Sequence, residues 1–289
     1  MLDRVDNRCD SVMLDWLERR VDADRLNWLT AAANQVADMD DARLERALAL
    51  AGRKVGKADL APTDTELSDA DAVRLGWSPH QWSLADVARA YILTVLAMER
   101  EGFGSRFRRL CQTADLASLI GLYRATPVLP YNADLDWQLG EGLRTSIGEI
   151  FEAIAHHNPV PAEAFSEHRW NHMVLKALFV DSSLPPIWGL DQCRNAALAA
   201  TLVDHVHERR AAGRAVNHHV WRCIAPFATG EVLNEILPLS QSADPTARQV
   251  AALFLSESPD SKAAARLDTL PGERDAIAAG HLGWSAIPG

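Results

Sequence analysis

Cysteine, tyrosine and long apolar runs are all scarce in this chain of 289 residues. The four cysteines, Cys9, Cys111, Cys193 and Cys223, are scattered, with no Cys-x-x-Cys pair and no histidine at zinc-ligand spacing. That argues against the usual zinc sites and suits a reducing compartment. No uncharged apolar run reaches the ~20 residues of a membrane-spanning helix. The start, Met1-Leu2-Asp3-Arg4, lacks the apolar core of a secretory signal. The expected location is therefore the cytoplasm, with any membrane contact peripheral at the inner membrane. Gly-x-Ser-x-Gly elbows, Gly-rich phosphate loops and dinucleotide fingerprints are absent too. Nucleophilic, nucleotide and nicotinamide chemistry lose their usual sequence support, and no cofactor and no metal is expected. Basic charge is in deficit: 29 Lys and Arg against 39 Asp and Glu leave a net charge of −10. Such a chain repels phosphate backbones, so no nucleic-acid partner is expected. The densest basic cluster, Arg106, Arg108 and Arg109, reads as a solvated helix face.

What is present is helical periodicity. Hydrophobic residues make up 48% of the chain and charged residues 24%, the balance of a globular protein. Apolar residues recur at three- and four-residue spacing almost throughout, as in Leu14, Leu17 and Val21 or Leu44, Leu48 and Ala51. Ser83 and Asp86 form a capping box before a stripe of Val87, Tyr91, Val95 and Met98. The longest helix is predicted over about Asp134–His157, with Leu135, Leu139, Leu143, Ile147, Ile150 and Ile154 on its core side. Asn158, Pro159 and Pro161 end it. Asp244-Pro245 and Ser258-Pro259 each read as a helix start. The fold class is all-α: antiparallel helix pairs in a HEAT-like or irregular array around that long central helix. The organisation reads as an N-terminal helical region (1–60), a central helical domain (61–230) and an Ala-rich, helical-repeat-like region (231–289), together one continuous globular unit. Trp77, Trp82, Trp170, Trp188 and Trp221 sit beside loop signals, where a Trp usually plugs a gap between helices.

The middle of the chain holds the polar residues in unusual settings. Glu149, Glu152 and His156 share one side of the predicted long helix with Arg144 nearby. A carboxylate pair with a histidine suits a divalent metal, but di-iron bundles use Glu-x-x-His, and here the spacing is Glu-x-x-x-His without a second copy. Asp204, His207, Glu208 and Arg209 form a second cluster, compatible with a general base or with a hydrogen-bonded pair between helices. Lys176 lies within the apolar run Met173 to Val180 and must either snorkel outward or pair with a carboxylate. Asn171 and Arg214 complete the set, which spacing is expected to bring to one region across three helices.

Several runs resemble the EboA family. They read Gly76-Trp77, Gln81-Trp82-Ser83, Leu119-Ile-Gly-Leu-Tyr-Arg124, Leu129-Pro-Tyr131 and Gly142-Leu-Arg-Thr-Ser-Ile-Gly-Glu-Ile-Phe-Glu-Ala-Ile-Ala155 with Asn158-Pro159. Trp170-Asn-His-Met-Val-Leu-Lys-Ala-Leu-Phe179, His207-Glu-Arg209, Ala212-Gly-Arg214, Val216-Asn217 and Trp221-Arg222 follow. The likeness spans about Gly76 to Phe227. It implies a component of the ebo gene cluster, which is connected with moving secondary-metabolite precursors out of the cytoplasm. Cluster neighbours resemble a membrane prenyltransferase, hydrolases, a sugar-phosphate-isomerase-like barrel and a dehydroquinate-synthase-like protein. The resemblance supplies a pathway and no mechanism. The expected partners are a small-molecule metabolite and other proteins of the cluster, including the prenyltransferase-like component. Three functions remain open: a non-catalytic small-molecule-binding or scaffold protein, an enzyme of unfamiliar type acting through the Glu/His cluster, and a helical-repeat adaptor.

Overall fold

Among the described residues, ten helices build the first part of the molecule: α1 (Arg8–Glu18), α2 (Ala23–Asn34), α3 (Asp41–Lys54), α4 (Asp64–Val73), α5 (Leu84–Glu99), α6 (Phe103–Thr113), α7 (Leu116–Arg124), α8 (Ala133–Leu143), α9 (Gly148–Ala155) and α10 (Val160–Ala164). Seven more follow: α11 (Glu167–Phe179), α12 (Ala196–Ala211), α13 (His219–Ile224), α14 (Leu237–Ser240), α15 (Pro245–Glu257), α16 (Ala263–Leu267) and α17 (Pro271–Ala278). This computed structural model describes residues 8–35, 40–99 and 102–289. Met1 to Arg4 and the Met98 side chain lie outside the described set. Among the described residues the fold is all-α, with one isolated bridge between Asp59 and Ser83 and no strand. No described helix is long and apolar enough to cross a membrane. Two compact units result, Met1–Ser166 and Glu167–Gly289. Their boundary falls inside the span 61–230 read from the sequence as the central domain.

In the first unit the central helix is α5. Val87, Ala88, Ala90, Ile92, Leu93 and Leu96 are fully buried, and so are the polar Asp86, Arg89 and Thr94. A helix apolar on all sides belongs in the interior, and α1, α2, α3 and α7 pack around it. Its start is the expected capping box: Asp86 N–H donates to Ser83 Oγ (3.2 Å), and Ser83 N–H donates back to Asp86 Oδ2 (2.9 Å). A second capping box opens α4, where Glu66 and Thr63 exchange hydrogen bonds. Glu66 also receives a two-pronged bond from Arg20 (2.8 and 2.6 Å), which holds its carboxyl down at about 2.

The long helix expected over Asp134–His157 is interrupted, and it is not central. It divides into α8 and α9, with Arg144 to Ile147 between them. The cause is local. Thr145 N–H turns back to Gly142 O (3.2 Å), and Thr145 Oγ1 accepts from Ile147 N–H (3.1 Å), so the hydroxyl takes a donor that a continuing helix would use. Ile147, expected in the core, is 41% exposed as a result. Helical periodicity survives across the break, which is why the apolar pattern alone does not reveal it. The basic cluster is also not a simple solvated face: Arg106 is buried and ion-paired with Asp41 (2.7 Å), which also binds Arg109 (2.9 Å). Arg108 pairs with Asp134 and lies over the Trp137 ring.

The second unit is built on α15, which packs with α13, α14, α16 and α17. Asp244 caps α15 and Pro245 occupies its first turn, as expected. The start expected at Ser258-Pro259 is delayed to Ala263, because Ser258 Oγ donates to Ala228 O (2.6 Å) instead of capping a helix. Trp77, Trp82, Trp170 and Trp221 are buried packing residues.

Gly121 on α7 crosses α5 so closely that a Cβ would stand 2.8 Å from Arg89 Cδ and 2.9 Å from Asp86 Oδ1. Both neighbours are fixed in a buried ion pair. Gly121→Ala is expected to cost about 1–3 kcal/mol by overpacking, whereas Ile147→Ala should stay within about 0.5 kcal/mol. Urea denaturation of the two variants checks both, and a costly Ile147→Ala would contradict the break between α8 and α9.

Candidate functional site

Asp86 is where the site begins. Its carboxylate, buried at 3% exposure, accepts from Ser83 N–H and Oγ, from Arg89 (3.3 Å) and from Arg124 Nη1 (2.7 Å). Arg89 passes on to Leu48 O (3.1 Å), tying α5 to α3. Arg124 closes α7, so the same carboxylate fixes a guanidinium at the end of that helix. Its other N–H groups have no protein partner among the described residues.

Arg124 lines a cleft of about 120 Å³ with His80, Gln81, Trp82, Glu149, Glu152 and His156. Pro127, Ala153, His157 and Asn158 complete the wall. Each segment is pinned independently. The loop carrying Gln81 and Trp82 is held by Leu60 N–H donating to Trp82 O (2.8 Å), and by Trp82 packing on Trp77, which packs on Trp16. The turn at Pro127 is held by Arg74, which donates to Pro127 O (2.9 Å) and forks onto Glu163. Asn158 is buried and satisfied on both sides: its amide donates to Thr126 Oγ1 and Ile154 O (3.0 Å each) and its carbonyl accepts from Val160 N–H. Between α9 and Asn158 the backbone reverses through His157, in the left-handed region at φ 52°. Gln81 is likewise at φ 62°. Two of the few left-handed non-glycine residues in the described chain therefore face one cleft, the kind of local strain that clusters at functional sites.

The electrostatics are mixed. Glu149 is exposed, and with Glu152 one turn later on α9 it presents two carboxylates. The His80 and His157 rings lie 4.9 Å apart, with His156 next to His157 at 6.4 Å. Burial, with the neighbouring imidazoles adding to it, pushes His157 down to about 4, so it is uncharged at neutral pH. Among the described residues no group of three or more His, Cys, Asp or Glu is arranged to hold a metal ion. A larger groove of about 400 Å³ runs between α3 and the α6–α7 junction. Its leucines are already buried, and its polar residues, Glu45, Arg46, Thr113, Asp115 and Ser118, include no histidine, whereas the smaller cleft brings His80, His156 and His157 to two carboxylates and a guanidinium.

Of the residues singled out from the sequence, Glu149, Glu152 and His156 meet in the cleft. Arg144 stands apart, exposed and paired with Glu141 (2.9 Å) in the break before α9. Asn171, Lys176, His207, Glu208 and Arg214 belong to the second unit. There Asn171 exchanges amide bonds with Asn195, the cap of α12 (3.1 and 2.7 Å). His207 binds Glu235 (3.0 Å), which also holds Arg210. Glu208 and Arg214 are exposed. Burial lowers the Lys176 ammonium, and no carboxylate pairs with it among the described residues. His80, Arg124 and His157 were not singled out by spacing, since they come from loops and helix ends; Gln81, Arg124 and Asn158 do fall within the family-like runs.

Because His157 is held low, the unfolded chain binds its proton between pH 6.5 and about 4 while the folded chain does not. Its contribution to stability is present above pH 6.5 and is lost as pH falls toward 4. His157→Asn keeps a side chain that tolerates φ 52° and removes the imidazole. Urea midpoints measured from pH 7 to 4 should fall less steeply for this variant than for the parent chain; equal slopes would show that His157 is not buried as described.

No curated protein and no solved structure matches the chain significantly. A family model does, over residues 9–225, so the match covers the first unit from Cys9 and runs through α13, stopping before the helices that complete the second unit. That family is described as metabolite traffic protein EboA, and with well over half of its length matched the chain belongs to the EboA family.

Proposed function

We propose that this chain is a non-catalytic, cytoplasmic binding component of metabolite trafficking and that the Arg124–Glu152 cleft takes the polar part of its ligand. One observation carries the reading. Runs that resemble the family and lie far apart in sequence, Gln81-Trp82, Arg124, Glu149 to Ala153 and Asn158, supply most of one cleft wall. At about 120 Å³ the cleft is smaller than the ~300 Å³ at which pockets enclosing whole drug-sized ligands begin, so it suits a fragment or head group. Other proteins of the ebo cluster, with the membrane prenyltransferase-like component among them, are the partners to which such a ligand would pass. The family description, metabolite traffic, supports the pathway.

The enzyme reading draws on the same carboxylates and His156. It is the weaker one: the wall holds no Ser, Thr, Cys or Lys nucleophile.

Glu149 makes no hydrogen bond or ion pair among the described residues and is exposed, so Glu149→Gln should change stability by less than about 0.5 kcal/mol. In a host that depends on the cluster, this variant is expected to lose most metabolite export, while Lys176→Met exports normally. Normal export with Glu149→Gln would overturn the cleft as the site. Lost export with Lys176→Met at unchanged stability would move the site to the second unit.

A further inference from the structure

We propose that the cleft takes a zwitterionic head group, an ammonium and a carboxylate on one short carbon frame as in an amino acid; this rests on the cleft being the binding site. Behind it stands a pair of opposite charges that the fold brings to one cavity and leaves apart. Arg124 and Glu149 both line the cleft. The ion pair of Arg124 is with Asp86, and Glu149 has none among the described residues. Asp86 does not cancel Arg124, because the same carboxylate also faces Arg89 (3.3 Å), so these three groups together carry one positive charge. Asp115 acts on Arg89 as well, but it caps the opposite end of α7, about 13 Å of helix from Arg124. Glu149 is exposed in the first turn of α9, where the helix dipole favours a carboxylate.

The other polar groups of the wall leave this gap open. Glu152 and His156 already interact within the protein, so the open charges are those of Arg124 and Glu149. His157 is uncharged at neutral pH. His80 is exposed, and an imidazole can donate whether neutral or protonated, so it serves the carboxylate end of a ligand in either state. An anion alone answers Arg124 and brings a like charge toward Glu149. A cation alone answers Glu149 and meets a guanidinium that shares its only carboxylate. An uncharged polyol bonds to both and compensates neither. A zwitterion meets each with the opposite charge, through the charge-assisted hydrogen bonds that are the strong kind. Gln81 adds a donor and an acceptor to the same wall, and Trp82 and Pro127 offer apolar surface to the carbons between the charges. The pinning of Trp82, Pro127 and Asn158 sets the wall before the ligand arrives, which reduces the ordering needed on binding.

Titration calorimetry and saturation-transfer NMR on the full chain at neutral pH test the class with five probes: L-alanine, β-alanine, propanoate, ethylamine and myo-inositol. The expected result is saturable binding of at least one amino acid, tenfold or more tighter than any of the other three. Glu149→Gln should remove that margin over propanoate while its urea midpoint stays unchanged. Equal or tighter binding of propanoate, ethylamine or myo-inositol would overturn the class, and so would the absence of saturable amino-acid binding. An undiminished margin in Glu149→Gln would overturn it too. Export by the same variant separates the two levels. Lost export without amino-acid binding removes the ligand class and leaves the cleft standing. Unaffected export removes the cleft and this inference with it.

Discussion

The carboxylate of Asp86 does three jobs that rarely fall to one group. It completes the cap of the most buried helix, neutralises a buried arginine that reaches α3, and fixes the arginine that lines the cleft. Burying an ion of this kind is unfavourable unless its oxygens are fully engaged, and here four donors from Ser83, Arg89 and Arg124 engage them. The glycine at 121 is a direct consequence, because α7 must pass against this cluster to deliver Arg124. Packing of the first unit and formation of its candidate site are therefore linked through the same few atoms.

The sequence reveals those parts of the fold that depend on local chemistry. The Ser83–Asp86 box, the Asn195 cap and the Asp244-Pro245 start all follow from short-range hydrogen bonding and appear as expected. The interruption between α8 and α9 does not show in the apolar pattern, because Leu143, Ile150 and Ile154 remain buried on either side of it. What breaks the helix is a threonine hydroxyl competing for a backbone donor, and Thr145 beside Ser146 and Gly148 was the available signal. The placement of α5 at the centre was legible in principle from its apolar residues on every face, although length favoured the other segment.

The candidate site was half legible. Glu149, Glu152 and His156 share one helical segment, so spacing finds them. His80, Arg124 and His157 arrive from a loop, a helix end and a strained turn, and only tertiary structure brings them to the same cleft. Residues in the second unit looked similar in the sequence but serve local pairs there: Asn171 with Asn195, His207 with Glu235. Polar residues at helical spacing do not by themselves separate a site from an interhelical bond; a shared cavity does.

The proposed role rests on a pinned, mixed-polarity cleft in a chain whose family is described as metabolite traffic protein EboA. The most direct measurement is native mass spectrometry of the protein taken gently from cells in which the pathway runs. One equivalent of a small molecule should travel with the chain and be missing from the Glu152→Gln variant prepared in the same way. Equal occupancy of parent and variant, or no bound molecule in either, would contradict a binding role for the cleft.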